Sequence, residues 1–129
     1  MTIAIICTAF LGFLVFGLGF AVSVMRGRMG INFGYTANPT DRFYKLMRAH
    51  ENTTEYAPML AILFLLLGSR NPSAWVVWTM AIATVSRYLL ALGLIFTPTL
   101  DKPEALRFLG ALGTYLCGLA LCVAAYLKA

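Results

Sequence analysis

The sequence predicts an all-α fold, an integral membrane four-helix bundle, and three observations lead there. Apolar residues make up 60% of the chain and charged residues only 12%, against about a quarter charged in soluble domains. The apolar residues fall in long runs, and the stretches between them are polar or carry prolines. No internal repeat or low-complexity tract interrupts this pattern. A chain of 129 residues has room for one domain, residues 1–129, crossing the bilayer four times.

The first run, TIAIICTAFLGFLVFGLGFAVSVM at 2–25, contains no charged side chain. A span needs about 20 such residues. The run lacks a basic leader and exceeds the roughly 7–15 apolar residues of a signal-peptide core, so a retained helix is expected. Within it, GLGF at 17–20 reads as a site of close helix packing; it follows no strand, so it is not a phosphate loop.

The first connection, RGRMGINFGYTAN at 26–38, is rich in Gly and Asn and reads as loop. Pro39-Thr40-Asp41 then supplies a helix start, with Thr40 or Asp41 as the cap. A helical pattern continues from there through Pro58, where a bend is expected, to Gly68. RNPS at 70–73 separates it from a third run, Ala74 to about Phe96, broken only by Arg87. TPTLDKPE at 97–104 is the third connection, and the fourth run starts after Glu104 and reaches Leu127. Trp75, Trp78 and Tyr126 sit near span ends and read as interfacial anchors.

The second span poses a problem of length. Its apolar part, Tyr56 to Gly68, gives about 20 Å of helix against a hydrocarbon core of about 30 Å. The helix must therefore draw a turn or two from the polar side, which puts Asn52 and Glu55 at membrane depth, facing protein or a water-filled cavity. At about 100° per residue, Asp41, Lys45, Arg48, Asn52, Glu55 and Tyr56 share a stripe about 100° wide. The stripe is either a lining or, for Asp41 and Lys45 above all, the solvated face of an emerging helix. A buried carboxylate needs a cation or a proton. Arg87 is the expected ion-pair partner of Glu55, as structural glue or with a ligand role besides. Arginine offers bidentate contact to carboxylates, asparagine pairs with amides, and glutamate can hold an ammonium. A small acidic peptide meets all three demands.

Orientation follows the cations. Arg26, Arg28, Arg42, Lys45, Arg48, Lys102 and Arg107 belong to the first and third connections; the second offers Arg70 and the C-terminus Lys128. Both termini are expected on the non-cytoplasmic side. This bias accounts for the net charge of +5 without a nucleic-acid partner. Cys7, Cys117 and Cys122 lie in apolar runs without a CxxC pair, and His50 is the only histidine, so no disulfide framework and no metal site is expected.

Arg48-Ala49-His50-x-Asn52-x-x-Glu55-Tyr56-x-Pro58 resembles the signature at the start of the second helix in the MAPEG family, the membrane-associated proteins of eicosanoid and glutathione metabolism. The likeness extends to chain length and the four-span layout, and the chain looks like a bacterial-type, microsomal glutathione transferase-like member. It implies a homotrimer in a membrane, here a bacterial inner membrane, with glutathione as cosubstrate bound between neighbouring subunits. On that likeness Arg48, Asn52, Glu55 and Tyr56 take glutathione-binding positions, His50 contributes at the edge, and Arg28 matches a second loop arginine. Arg107 resembles the arginine that stabilises the thiolate for attack on a lipophilic electrophile or hydroperoxide drawn from the bilayer. Arg107 as a snorkelling interface residue and Arg28 as a plain positive-inside residue are the alternatives. Several family enzymes place Tyr or His on the third helix after its arginine, where this sequence has Leu90 and Leu94.

Three functions follow. The first is a glutathione-dependent membrane transferase or peroxidase, and the second a non-catalytic glutathione-binding or scaffold protein of the same fold. The third, a small multidrug transporter, would be expected to place a carboxylate within the first span, and residues 2–25 contain none.

Overall fold

The computed structural model describes residues 1–128, which form four α-helices. They are α1 (Thr2–Met29), α2 (Arg42–Gly68), α3 (Ala74–Phe96) and α4 (Ala105–Tyr126). α1 extends one turn past its apolar run and stops at Gly30, whose φ of 65° lies in the left-handed region where a side chain is disfavoured. α2 starts where the sequence indicated. Asp41 is its N-cap, and the carboxylate accepts the Tyr44 N–H at 2.8 Å, a contact worth about 1 kcal/mol. The helix continues through Pro58 without interruption. α3 ends at Thr97, just before Pro98. α4 is capped by Glu104, which accepts the N–H groups of Leu106 at 3.1 Å and Arg107 at 2.9 Å.

Three of these helices, α1, α3 and α4, hold an apolar stretch long enough to cross a bilayer. α2 does not, because its first half carries the polar stripe. The expected four crossings are thus three by composition, with α2 dependent on where its polar turns are buried.

The order of packing is α1 on α2, α2 on α3, and α3 on α4; α1 also touches α3 and α2 touches α4. Among the described residues α1 and α4 do not meet. Small residues bring the backbones together. A Cβ added to Gly110 would lie 2.5 Å from the Leu90 nitrogen, and one added to Gly93 would lie 2.9 Å from the Arg107 nitrogen. Such close approach is how helices associate in lipid, where apolar surface gives no drive of its own.

Two apolar clusters fill the bundle. One gathers Leu11, Phe64, Leu67, Met80 and Leu121. The other gathers Leu18, Phe43, Met47, Ala49 and Ala91. Between them along the chain lies a buried polar layer of Thr53, Ser86, Arg87 and Thr114. Outward, Phe13, Phe16 and Phe20 form an exposed row on α1.

Hydrogen bonds fix which connections share an end. The Leu100 N–H donates to Pro39 O at 2.9 Å, joining the third connection to the first. At the other end, Lys128 Nζ donates to Arg70 O at 3.2 Å, and the Arg70 guanidinium donates to Lys128 O.

Candidate functional site

The polar stripe on α2 divides among three environments. Lys45 is buried, and its Nζ donates to Thr97 O at 2.9 Å at the carbonyl end of α3. That settles its place inside the bundle rather than on a solvated face, in a position where a helix end attracts a cation. Arg48 is half-exposed and pairs with Glu51 at 2.8 Å, the ion pair found among the described residues. Tyr35 reaches over from the first connection, and its hydroxyl donates to the same Glu51 oxygen at 3.3 Å. This bond to a carboxylate raises the Tyr35 phenol above its ordinary range.

Asn52 turns toward α3. Its side-chain and main-chain oxygens accept Nη2 of Arg87 at 2.8 and 2.9 Å, and Thr53 Oγ1 adds a longer contact at 3.4 Å. The Arg87 guanidinium also stands 5.3 Å from the centre of the Tyr56 ring, a cation–π contact that supplies part of what a buried cation lacks. Arg87 is fully buried, and its Nε and Nη1 have no hydrogen-bond partner.

The expected Glu55–Arg87 pair is therefore not formed within the protomer. Glu55 is exposed on the flank of α2. The reason is angular: α3 meets α2 on the Asn52–Thr53 side, so an oxygen of Asn52 fills the place expected for the carboxylate.

Arg48 and Asn52 share a cavity of about 320 Å³ with Leu90, Leu94, Glu104 and Arg107, and with Tyr115 at its inner end. Two of the expected α2 residues, Arg48 and Asn52, thus meet Arg107 across α2, α3 and α4, Tyr56 does not line this cavity, and Leu90 and Leu94 line it as counted from Arg87. Arg107 donates through Nη1 to Lys102 O at 3.0 Å and through Nη2 to Leu100 O at 3.2 Å. These neutral acceptors hold the third connection against α4; the guanidinium forms no ion pair among the described residues, with Glu104 in the same cavity wall.

Tyr56 marks a boundary. Its hydroxyl lies 3.3 Å from that of Tyr115, the rings edge to face. Beyond the pair, between α2 and α4, runs an apolar groove of about 300 Å³ lined by Met59, Leu60, Leu63 and Leu119. Sequence reasoning missed Tyr115. Its position two turns after Arg107 on the same helix was the available signal.

His50 and Arg28 do not line this cavity. His50 packs against Gly19 of α1, where an added Cβ would lie 3.2 Å from Nε2. Arg28 is exposed in the last turn of α1. No group of three or more His, Cys, Asp or Glu able to hold a metal occurs among the described residues.

Four packed helices with lipid-type outer faces, a buried polar layer and a cavity with charged walls at one end define an integral membrane protein with an internal polar site. The MAPEG family model matches residues 4–127, and the chain belongs to the MAPEG family. Neither curated proteins nor solved structures give a match.

Proposed function

We propose that this protein is a glutathione-dependent membrane transferase or peroxidase acting on lipophilic electrophiles or hydroperoxides. One observation carries the reading: a polar cavity bearing Arg48, Asn52 and Arg107 shares Tyr115 with an apolar groove that begins at Tyr56. Arg48 holds Glu51 through Nη1 alone and offers its other N–H groups to a glutathione carboxylate, and Asn52, whose amide oxygen holds Arg87, offers its amide N–H groups to the peptide. Arg107, held by main-chain carbonyls, faces the thiolate. The groove beyond Tyr56 and Tyr115 suits an apolar cosubstrate entering from the bilayer. In transfer the thiolate sulfur bonds to the electrophilic carbon, and a leaving group departs with its electron pair. With a hydroperoxide the sulfur attacks the terminal oxygen, the O–O bond breaks and the alkoxide leaves and takes a proton to give the alcohol. A second glutathione then displaces hydroxide from the sulfenic acid, giving disulfide and water.

Glu55 and Arg28 lie outside this cavity and are exposed, so on this reading they act across a subunit boundary, whereas His50 packs against α1 of its own protomer and contributes at the edge. The exposed carboxylate of Glu55 supports assembly, because a charge at membrane depth faces protein or water and not lipid. We take the assembly to be a homotrimer, each chain a single domain with four spans and both termini non-cytoplasmic, in a bacterial inner membrane.

Leu90 and Leu94 favour a second reading, a protein that binds glutathione without turning it over. They put no hydroxyl or imidazole from α3 into the cavity. The test is glutathione affinity and aryl-halide conjugation by detergent-purified protein, repeated with Arg107→Ala. The enzyme reading expects turnover to fall by about tenfold or more in the variant, with glutathione still bound. Binding without turnover selects the second reading, and absence of binding removes both.

A further inference from the structure

A separate cavity of about 490 Å³ lies where α2 begins and α3 ends, outside the site described above. Two cations border it. Lys45 keeps only 7% of its surface exposed, and one neutral oxygen, Thr97 O, accepts from its three-donor ammonium. Arg42 is exposed in the first turn of α2. Neither has a carboxylate partner, since the ion pair among the described residues is Arg48–Glu51.

Of the nearby acids, Asp101 is exposed in the third connection and pairs with neither cation, and the other two cap helices. Asp41 caps α2 through Tyr44, and Glu104, beyond Phe96 and Pro98, caps α4 through Leu106 and Arg107. A buried ammonium with one neutral acceptor is short of an anion. The rest of the wall is apolar: Leu46, Ile95, and Phe96 with 77% of its surface exposed. This wall belongs to the apolar end of α3, whereas the cations belong to the basic connections.

From this arrangement we propose that the cavity binds an anionic phospholipid, with the headgroup phosphate between Arg42 and Lys45 and the upper acyl chain along Leu46, Ile95 and Phe96. A free phosphate would use the two cations and leave the apolar wall bare. A lipid fills both parts and enters sideways from the bilayer. Basic pockets between helices on the cytoplasmic side are suited to such headgroups.

Native mass spectrometry of the detergent-purified protein tests this with phosphatidylglycerol, phosphatidylcholine of the same chains, and inorganic phosphate. At about 1 kcal/mol per cation near a lipid surface, phosphatidylglycerol is expected to bind about 25-fold more tightly than phosphatidylcholine. Arg42→Gln should lose about fivefold of that preference; its side chain is exposed, so the fold is spared. Arg70→Gln, at the opposite end of the bundle, should lose none. Equal binding of the two lipids, or an unchanged preference in Arg42→Gln, overturns the proposal. Displacement of phosphatidylglycerol by inorganic phosphate alone would make this a free-phosphate site and sink the lipid assignment. A change in subunit number in Arg42→Gln would assign the cavity to contact between copies instead.

Discussion

At the scale of single residues, Arg87 sets the largest electrostatic demand in the bundle. It is fully buried and leaves Nε and Nη1 without acceptors. Its Nη2 is held by Asn52 and Thr53, and the Tyr56 ring stands beside it. Removing a partner from a buried charge costs more than replacing the charge by an apolar residue of similar size. Asn52→Ala deletes the shortest of these contacts and should cost about 1.5–3 kcal/mol. Arg87→Met should cost less, since it removes two unfilled donors along with the charge. Unfolding of both variants in mixed detergent micelles gives the order. If Arg87→Met is the more damaging, the guanidinium is net stabilising and its open donors are met by something the protomer lacks. The Asn52–Arg87 contact was out of reach of sequence reasoning. A helical wheel puts Asn52 and Glu55 in one stripe, and charge alone selects Glu55; only the line along which α3 crosses α2 distinguishes them.

At the scale of helices, boundaries were legible and contacts were not. Asp41 and Glu104 stop the chain from continuing as loop by accepting N–H groups, and Gly30 and Pro98 end helices for backbone reasons. Each of these signals is local, so a sequence displays it. The closeness of α3 and α4 depends instead on Gly110, Gly113 and Gly93 falling opposite Leu90, Ser86 and Arg107, and a glycine in an apolar run does not announce its partner. Gly110→Ala is therefore expected to push α3 from α4, cost about 1–3 kcal/mol from overpacking, and reshape the cavity that Leu90, Arg107 and Tyr115 line. Gly118→Ala is the matched control, because its new Cβ would meet only the end of Leu60 at 3.9 Å. Thermal unfolding in detergent should separate the two variants. Equal stability would mean that the helices have room to part without loss.

The site itself was half legible. Asn52 could be nominated because polar residues at membrane depth require a protein surface to face, Arg48 because it shares the stripe, and Arg107 through the family resemblance alone, and the three do converge on one cavity. Tyr115 and the role of Lys45 could not, since an aromatic residue in a span reads as packing and a lysine near a span end reads as solvated. Their partners, the Tyr56 hydroxyl and the last carbonyl of α3, come from elements distant in sequence.

At the scale of the whole molecule, the ends of the bundle carry very different charge. Pro39 and Leu100 join the first and third connections at one end, near Arg26, Arg28, Arg42, Arg48, Lys102 and Arg107. Arg70 and Lys128 are tied together at the other, and Gly68 there packs against Ala4 and Met1. Translocating the first end, Lys45 included, would drag seven cations through the hydrocarbon core, whereas the second carries two. The positive-inside rule then predicts the first end in the cytoplasm. The three native cysteines lie within helices, at positions 7, 117 and 122, which makes single-cysteine mapping direct once they are replaced by alanine. A cysteine at Tyr35 or Lys102, both exposed, should resist a membrane-impermeant maleimide applied to the non-cytoplasmic face of intact cells. A cysteine at Ser73, exposed in the second connection, should react. Permeabilised cells should label all three. Labelling of position 35 in intact cells would reverse the orientation and put the cavity of Arg48, Asn52 and Arg107 outside the cytoplasm. Because both cavities with cationic walls lie at that same end, the glutathione and lipid proposals would then need a thiol peptide and an anionic leaflet on the opposite side.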